Sequence, residues 1–404
     1  MIQELYKEIT KEISLSISQS KIDSIIKKSI TKNGCRVYEN GYIGIAGSLG
    51  KVTDETWATA KRNLNLKIPY NFEVEKNKVR ERDLREYNPS AETFVHDMDN
   101  LLSTLRNEYP DFIFSNKIKF IETETSLTND VGLNYKNYDS CVNLEIIIKH
   151  KSSLNIFDSG LINISRKFDK ESFLCEARKQ LDAFTTLKTL PTGKVPVILD
   201  FNEISTKFIE SLNGESIGRK SSIFHDKIGK KAFSEDFTLS IDRSKNNILT
   251  PFFDTEGTVI DNDICTLIKN GIIENPYTDK KTSKQFNFPL TAAATGNYDD
   301  VPSLSNIDLT AKPGDKTLKE LLNGNLGILL IILSGGDYTN NGDYASPVQM
   351  SYLTDGENLL GKLPEFNISN NIYSMFGDDF IGITKDKPYF NSNLLVTKMN
   401  ISKL

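Results

Sequence analysis

Three histidines are the only imidazoles in the chain, and their spacing limits the metal chemistry that the sequence supports. His96, His150 and His225 lie too far apart for any two to share a helical turn, so the HExxH zinc motif is absent. The four cysteines are scattered, without the close pairs of zinc and redox sites. Ligands distant in sequence could still converge, but catalytic zinc sites rarely omit histidine. We therefore expect no zinc site built by this chain alone.

A glycine-rich stretch, residues 44–52, is the next candidate because glycine loops can cradle phosphates. Its first glycine is one residue out of place for a P-loop, and Val52 stands where Ser or Thr would bind magnesium. Ala46 likewise occupies the first glycine position of a GxSxG nucleophile elbow. The pattern instead predicts a hairpin over 35–48 that turns at Asn40-Gly41, with glycines where neighbouring backbones approach closely.

Two carboxylates form the last candidate that the residues themselves suggest. Asp254 and Glu256 alternate on a strand predicted over 252–260, so they would project to the same face of that strand. Beside Gly257, such a pair could form a site, or it could simply serve the chemistry of a turn. The residues alone leave both interpretations open.

The overall composition excludes several classes of protein. The 404 residues are 38% hydrophobic and 25% charged, which is typical of globular proteins and unlike disordered or fibrous chains. A net charge of −5 lacks the basic field that nucleic-acid binding needs. The longest apolar run, 326–333, is too short to span a membrane, and the N-terminus lacks a signal-peptide pattern. We expect a soluble, cytoplasmic protein that binds neither nucleic acid nor membranes.

Hydrophobic periodicity predicts the elements that position these residues. Apolar residues at three- and four-residue spacing predict five helices in the first half of the chain, at 2–13, 22–26, 53–64, 90–106 and 170–184. Residues 70–90 are dense in charge and predict a surface connection. Short β runs are predicted between the fourth and fifth helices, at 112–114, 118–122 and 142–150.

The segment Pro191-Thr192-Gly193 marks the predicted domain boundary, which divides residues 1–190 from 191–404. The chain beyond it is predicted to be β-rich with glycine turns, and its run 326–333 is typical of a strand buried on both faces. Because helices and strands occur in separate groups, we predict an α+β fold rather than a doubly wound sheet. The clearest elements of this half are a strand, two helices and the apolar strand, at 195–199, 203–212, 317–322 and 326–333.

The order of several short motifs carries more information than any one of them. The motifs are Gly44-Ile45-Ala46-Gly47-Ser48 with Thr53-Asp54-Glu55-Thr56-Trp57, then the stretches 131–135, 250–257, 268–272, 335–338, 355–357 and 366–371. In this order they resemble the TldD/PmbA family, also called modulators of DNA gyrase, whose TldD members are zinc metallopeptidases. The resemblance implies a two-domain fold, with an N-terminal α/β domain and a β-rich C-terminal domain.

The sequence departs from the catalytic members of that family at their zinc motif. TldD members carry HExxxH on the helix after the strand that corresponds to 195–199, and the equivalent stretch here is 209–214. Ile209 and Gly214 replace both histidines, whereas Glu210 remains. The late zinc-ligand cysteine of TldD members also has no counterpart. The resemblance therefore implies the PmbA-like branch: no catalytic residue, metal or cofactor on this chain, a vestigial Glu210, and zinc only on a TldD-type partner.

The resemblance also implies a role and partners. We expect a PmbA-like, non-catalytic subunit of a cytoplasmic metallopeptidase complex that acts in proteolysis or maturation of peptides, paired with a TldD-type subunit or with itself. Peptide or unfolded protein would be captured by addition to a sheet edge. A stand-alone homodimeric peptide-binding protein is the alternative, and a hydrolase with an unrecognised site is a third. The candidate substrate or partner surface comprises Asp254, Glu256, Gly257, Gly335, Gly336 and Asp337.

Overall fold

An eight-stranded sheet dominates the N-terminal half of the computed structural model, which describes residues 1–305 and 307–404. Its strands are β1 (Ile2–Ser18), β2 (Lys21–Glu39), β3 (Tyr42–Leu49), β4 (Ile68–Pro69), β5 (Lys78–Asp83), β6 (Phe112–Asn129), β7 (Leu133–His150) and β8 (Ser159–Ser165). They run in the order β4-β3-β2-β1-β6-β7-β5, and β8 pairs with β7. All pairs are antiparallel except β5 with β7.

The helices predicted at 2–13 and 22–26 are wrong, because both segments are strands. β1 pairs with β2 on one side and with β6 on the other along almost its whole length, and this long-range pairing overrides the local helical spacing. The hairpin turns at Gln19 and Ser20, both with positive φ. A turn of that geometry usually contains Asn or Gly, so the sequence carried no turn signal there.

Two further predictions in this half need correction. The short β runs predicted over 112–150 are two long strands, β6 and β7, which pair with each other from end to end. The predicted surface connection at 70–90 contains β5, which lies parallel to β7 at the edge of the sheet. The predicted hairpin over 35–48 is confirmed, since β2 and β3 pair around Asn40-Gly41.

The three remaining helices are confirmed as α1 (Asp54–Asn63), α2 (Ala91–Glu108) and α3 (Lys170–Phe184). Each begins after a side chain that accepts a hydrogen bond from a backbone N–H of the first turn, which is the usual way to satisfy these donors. The caps are Thr53, Ser90 and Asp169. The buried faces of α2 and α3 share one apolar core with β6, β7 and β8.

Two of the three glycines of the 44–52 stretch, Gly44 and Gly47, serve close packing, as predicted, whereas Gly50 has open space around it and a positive φ. A Cβ atom at Gly44 would lie 2.2 Å from the carbonyl oxygen of Ala60 in α1. A Cβ atom at Gly47 would lie 2.4 Å from the Cβ of Asp299, in a loop of the C-terminal half. Any side chain would therefore push away the elements that cover the two faces of β3.

The C-terminal half contains many shorter elements. Its strands are β9 (Gly193–Asp200), β10 (Leu239–Asp242), β11 (Ile264–Lys269), β12 (Ile272–Ile273), β13 (Ala294–Thr295), β14 (Ser303–Leu304), β15 (Thr310–Ala311), β16 (Gly327–Leu333), β17 (Asp337–Tyr338), β18 (Asp343–Thr354), β19 (Leu359–Lys362), β20 (Phe366–Asn371), β21 (Phe380–Ile383) and β22 (Leu394–Lys403). Its helices are α4 (Thr206–Ser211), α5 (Gly214–Gly218), α6 (Lys280–Phe286), α7 (Leu318–Leu322) and α8 (Ile372–Met375).

Five of these strands form a closed sheet. They pair in the order β16-β9-β22-β20-β18, and β18 pairs with β16 to close it. The predicted strand at 195–199 and the predicted helix at 317–322 are confirmed as β9 and α7. The helix predicted at 203–212 is shorter, because a 3₁₀ turn precedes α4. The fold is α+β, as predicted. Among the described residues, no helix is long and apolar enough to cross a membrane.

The apolar strand at 326–333 corresponds to β16, but only part of it is fully buried. Ile328, Leu329 and Leu330 lie in the core, whereas the last three residues of β16 are half-buried and Leu326 is 48% exposed before the strand begins. The strand pairs with β9 on one side and with β18 on the other. The first half of β16 therefore lies in the core and pairs with strands on both sides.

We expect Leu329→Ala to lower the free energy of unfolding by about 2–5 kcal/mol, the usual loss when a buried Leu is truncated. Leu326→Ala, with the same chemical change at an exposed site, should change it by less than about 0.5 kcal/mol. Denaturant unfolding of both variants measures the contrast. Equal losses at the two positions would show that β16 is not the buried strand described.

Candidate functional site

Residues 254–257 form a tight turn and not the strand predicted over 252–260. The N–H of Gly257 donates to the carbonyl oxygen of Asp254 at 2.9 Å. The side chain of Asp254 accepts from the backbone N–H groups of Glu256, at 2.9 Å, and Thr258, at 2.8 Å. Gly257 has φ +76°, which glycine adopts without strain. The turn interpretation of these carboxylates is therefore the one that the structure supports.

The carboxylate of Asp254 accepts hydrogen bonds from backbone N–H groups only, and the residue is 2% exposed. Its second carboxylate oxygen accepts from the N–H of Ala294 at 3.1 Å. Burial raises the pKa of Asp254, and the nearby guanidinium of Arg243 opposes that shift. Arg243 is itself buried and donates to the carbonyl oxygens of Ala292 and Phe253 at 3.0 and 3.1 Å. The carboxylate thus joins two loops of the C-terminal half.

Glu256 is 4% exposed and lies between three segments of the chain. Its carboxylate accepts from the backbone N–H of Lys280 at 2.9 Å and from the hydroxyl of Tyr70 at 3.1 Å. Burial first, and repulsion from Asp254 second, raise the pKa of Glu256 to about 8. The ammonium of Lys280 donates to the carbonyl oxygen of Glu73 at 2.7 Å. The turn is therefore fixed to the connection between β4 and β5.

On the N-terminal side, the turn contacts Arg36 near the end of β2. This side chain is 1% exposed and donates to the carbonyl oxygen of Thr255 at 2.5 Å. Its guanidinium lies 3.4 Å from the carboxylate of Glu4, which also accepts from the hydroxyl of Tyr38 at 2.8 Å. The guanidinium sits over the ring of Tyr6, 5.3 Å from its centroid. This buried polar group joins the two halves of the chain.

Two more charged contacts join the same halves, and neither was predicted from the sequence. Asp139 on β7 accepts two hydrogen bonds from Arg166, at 2.7 and 2.8 Å, and one from the N–H of Leu249 at 2.7 Å. Asp263 accepts two hydrogen bonds from Arg80 on β5, at 2.7 and 2.5 Å. The dense charge of residues 70–90 is the available signal, and it predicts a surface connection instead.

Residues 335–337 lie elsewhere, on the exposed connection between β16 and β18. Gly335, Gly336 and Asp337 are all exposed, and the short strand β17 begins at Asp337. A Cβ atom at Gly336 would lie 2.3 Å from the hydroxyl oxygen of Tyr344. Within the described part of the chain, no hydrogen bond or ion pair links this segment to the 254–257 turn. The structure therefore does not gather the six candidate residues into one site.

Glu210 lies on the short helix α4 and is a surface residue. Its side chain is 68% exposed and its carboxylate lies 3.4 Å from the ammonium of Lys207. The preceding residue, Ile209, packs against the core of the C-terminal half. The carboxylate therefore faces solvent beside a lysine, with an apolar side chain at the neighbouring position.

Gly214, the other position that the family resemblance aligns with a zinc-ligand histidine, has no room for a side chain. Its N–H donates to the carbonyl oxygen of Tyr277 at 3.0 Å. A Cβ atom there would lie 2.8 Å from that same oxygen and 2.9 Å from the Cγ2 atoms of Thr278 and Thr282. Over residues 1–305 and 307–404, no three His, Cys, Asp or Glu side chains are placed to hold one metal ion. The residues present do not fit zinc.

Comparison with known proteins places these observations in one family. Residues 192–403, about half of the chain, match the family model described as the PmbA/TldA metallopeptidase C-terminal domain. The chain belongs to the PmbA/TldD family.

Individual relatives agree with that assignment. The chain is 22% identical over 315 residues to a zinc metalloprotease TldD homolog of Saccharolobus solfataricus, covering 72% of this chain and 68% of the relative. Its fold matches crystal structures of TldE from Thermococcus kodakarensis, with a TM-score of 0.82, and of a Thermotoga maritima protein assigned as a modulator of a DNA gyrase, with a TM-score of 0.81. Both are 17% identical to this chain and cover 99% of it and 96% of their own chains.

The raised pKa of Glu256 predicts how stability depends on pH. Between the ordinary pKa of a glutamate and about 8, the folded chain holds a proton that the unfolded chain has released. The free energy of unfolding therefore falls as the pH rises through this window and is level again above it. We expect Glu256→Gln, which keeps the shape and stays neutral, to remove the part of that fall that Glu256 contributes. Burial also raises the pKa of Glu176 to about 7, so a smaller fall should remain.

Urea unfolding at a series of pH values measures the effect, with Glu210→Gln as the matched control at an exposed site. The control should follow the unsubstituted chain at every pH. If Glu256→Gln also followed the unsubstituted chain, Glu256 would be ionised in the folded chain throughout this window, and the raised pKa would be wrong.

Proposed function

We propose that this chain is a PmbA-like, non-catalytic subunit of a cytoplasmic TldD/PmbA-type metallopeptidase complex that acts in proteolysis or maturation of peptides. The observation that carries the proposal is the closed packing at Gly214. The position where a catalytic relative would carry its second zinc-ligand histidine is filled here by the backbone of Tyr277 and by two threonine methyl groups. The chain therefore lacks both the ligand and the space for it.

The surroundings of Glu210 support the same conclusion. A glutamate acts as a general base in a zinc peptidase by taking a proton from the metal-bound water, whose pKa the metal has lowered. Here the neighbouring side chain at position 209 is aliphatic, and the carboxylate pairs with Lys207. Without a metal beside it, Glu210 has no activated water to deprotonate.

The three histidines give no alternative ligand set. His96 is exposed on α2, where it lies beside Asn100. His150 packs against the rings of Phe112 and Phe184 at the end of β7. His225 bonds the carbonyl oxygen of Ser222 in the other half of the chain. They occupy separate places and cannot bind one ion together.

We propose a zinc-bearing TldD-type chain as the partner and peptide or unfolded protein as the substrate. The family membership and the relatives named TldD homolog and TldE support this choice. Of the candidate surface residues, Gly335, Gly336 and Asp337 are exposed and available for contact. Asp254, Glu256 and Gly257 would act indirectly, because the turn that they form holds the two halves of the chain together.

Reconstitution with a TldD-type chain of the same organism tests the proposal. We expect the isolated chain to hydrolyse no peptide, and the mixture to hydrolyse peptides faster than the TldD-type chain alone. Glu210→Gln should leave the activity of the mixture within about twofold, because removal of a true general base typically costs 10²–10⁴-fold.

The matched control is the same Glu→Gln change at the zinc-motif glutamate of the TldD-type chain, which should abolish activity. A hundredfold loss from Glu210→Gln, with complex formation intact, would place the chemistry on this chain. Failure to bind or stimulate any TldD-type chain would favour the stand-alone binding protein.

A further inference from the structure

The loop between β7 and β8 carries the two most exposed large apolar side chains of the described residues. This loop, residues 149–158, extends beyond the last residue pair of the β7–β8 ladder and is called the tip below. Leu154 is fully exposed, Ile156 is 90% exposed and Phe157 is 37% exposed. Scattered apolar residues on a surface are ordinary, but a cluster of them marks a contact with a partner or a membrane.

The polar side chains of the tip form hydrogen bonds within the tip itself. The carboxylate of Asp158 accepts from the backbone N–H of His150 at 2.8 Å. The same carboxylate accepts from the hydroxyl of Ser153 at 2.6 Å and from the side-chain amide of Asn155 at 3.1 Å. The ammonium of Lys149 donates to the carbonyl oxygen of Asn155. The usual arrangement is therefore reversed, with polar groups turned inward and apolar side chains held outward.

The exposed charge of the tip is basic, although the whole chain is acidic. Residues 149–157 contain Lys149, His150 and Lys151 and no carboxylate. Asp158 follows them, but it is 8% exposed and its carboxylate has three donors within the tip. The exposed residue Asp111 lies beside the tip, where its carbonyl oxygen accepts from the N–H of Lys151 at 2.9 Å. Two lysines therefore stand against one exposed aspartate.

The size and shape of the tip favour one kind of partner. Small-molecule sites are concave, whereas the tip projects from the end of a hairpin. Its three apolar side chains offer far less than the about 800 Å² that each protein contributes to a standard interface. A lipid surface needs no matching shape. A few apolar side chains can enter the boundary between headgroups and acyl chains, and lysines beside them attract anionic headgroups.

We propose that the tip inserts Leu154 and Ile156 into the surface of a membrane that contains anionic lipid, with Lys149 and Lys151 at the level of the headgroups. The contact is peripheral, and it revises the expectation that the chain binds no membrane. That expectation came from the length of the apolar runs, which identifies spanning segments and does not report a short tip. The proposal concerns the isolated chain and does not rest on the proposed function.

Sedimentation with lipid vesicles tests the apolar part of the contact. We expect the full-length chain to bind vesicles of phosphatidylcholine and phosphatidylglycerol in equal parts. Leu154→Ser together with Ile156→Ser should lower the affinity by about tenfold or more, because two aliphatic side chains no longer enter the lipid. Leu66→Ser together with Val79→Ser is the matched control, since these side chains are 67% and 77% exposed elsewhere on the chain. The control pair should bind as the unsubstituted chain does.

Charge reversal tests the basic part of the contact. Lys151→Glu should lower the affinity for the mixed vesicles by about fivefold or more, because a lysine near an anionic surface becomes a repelled carboxylate. It should leave the weaker binding to pure phosphatidylcholine unchanged. Lys61→Glu, at an exposed lysine of α1, is the control and should change neither. Added salt should weaken the binding to the mixed vesicles of every variant that keeps Lys151.

Tryptophan fluorescence tests which residues reach the lipid. In Ile156→Trp, bound to mixed vesicles with brominated acyl chains, the new indole should be quenched because it lies among those chains. Val79→Trp, at another exposed apolar position, should show no more quenching than the native Trp57 of the unsubstituted chain.

Several results would overturn the proposal. A full-length chain that does not bind the mixed vesicles would do so directly. Binding that survives the loss of Leu154 and Ile156, or that falls equally in the control pair, would place the contact elsewhere. Tip variants that lose binding to a TldD-type chain, with no vesicle binding by the unsubstituted chain, would make the tip a protein contact. None of these results bears on the peptidase measurements that test the proposed function.

Discussion

The buried guanidinium of Arg36 is the contact on which the junction between the two halves depends. A charged group with so little exposure must be hydrogen-bonded and paired, because an uncompensated buried charge costs several kcal/mol. Its partners are the carbonyl oxygen of Thr255 on one side and Glu4 on the other. The 254–257 turn can present that carbonyl only while Asp254 holds the turn closed and Glu256 holds it to Lys280. The polar residues at this junction therefore hold the two halves of the chain together.

The sequence predicted some elements of the fold well because their signals are local. The caps at Thr53, Ser90 and Asp169 and the Asn40-Gly41 turn are short-range features, and each element that they begin or reverse is present. β1 and the first part of β2 failed because their isoleucines happen to repeat at helical spacing. β1 is held between β6, which is about one hundred residues or more away, and the first part of β2, which pairs with β1. No local pattern reports the pairing with β6.

The candidate site shows the same division. Spacing identified Asp254 and Glu256, but it placed them on an open strand, and only the tertiary structure shows them buried in a turn. Arg36 gave a weak signal, a single charge within the apolar run around Cys35 and Val37. The alignment of positions 209 and 214 with the zinc-ligand histidines of catalytic members is an inference from the family resemblance alone. Only the tertiary structure shows that a histidine at position 214 would collide with Tyr277 and Thr278.

The central claim is that the chemistry of the complex does not reside on this chain, and its zinc content tests that claim most directly. The full-length chain, produced with zinc in the medium and purified without chelator, should retain less than about a tenth of an equivalent of zinc, because it lacks the ligands of a catalytic site. It should also show no peptidase activity. Near-stoichiometric zinc, removed by a chelator together with a peptidase activity of the pure chain, would contradict the account.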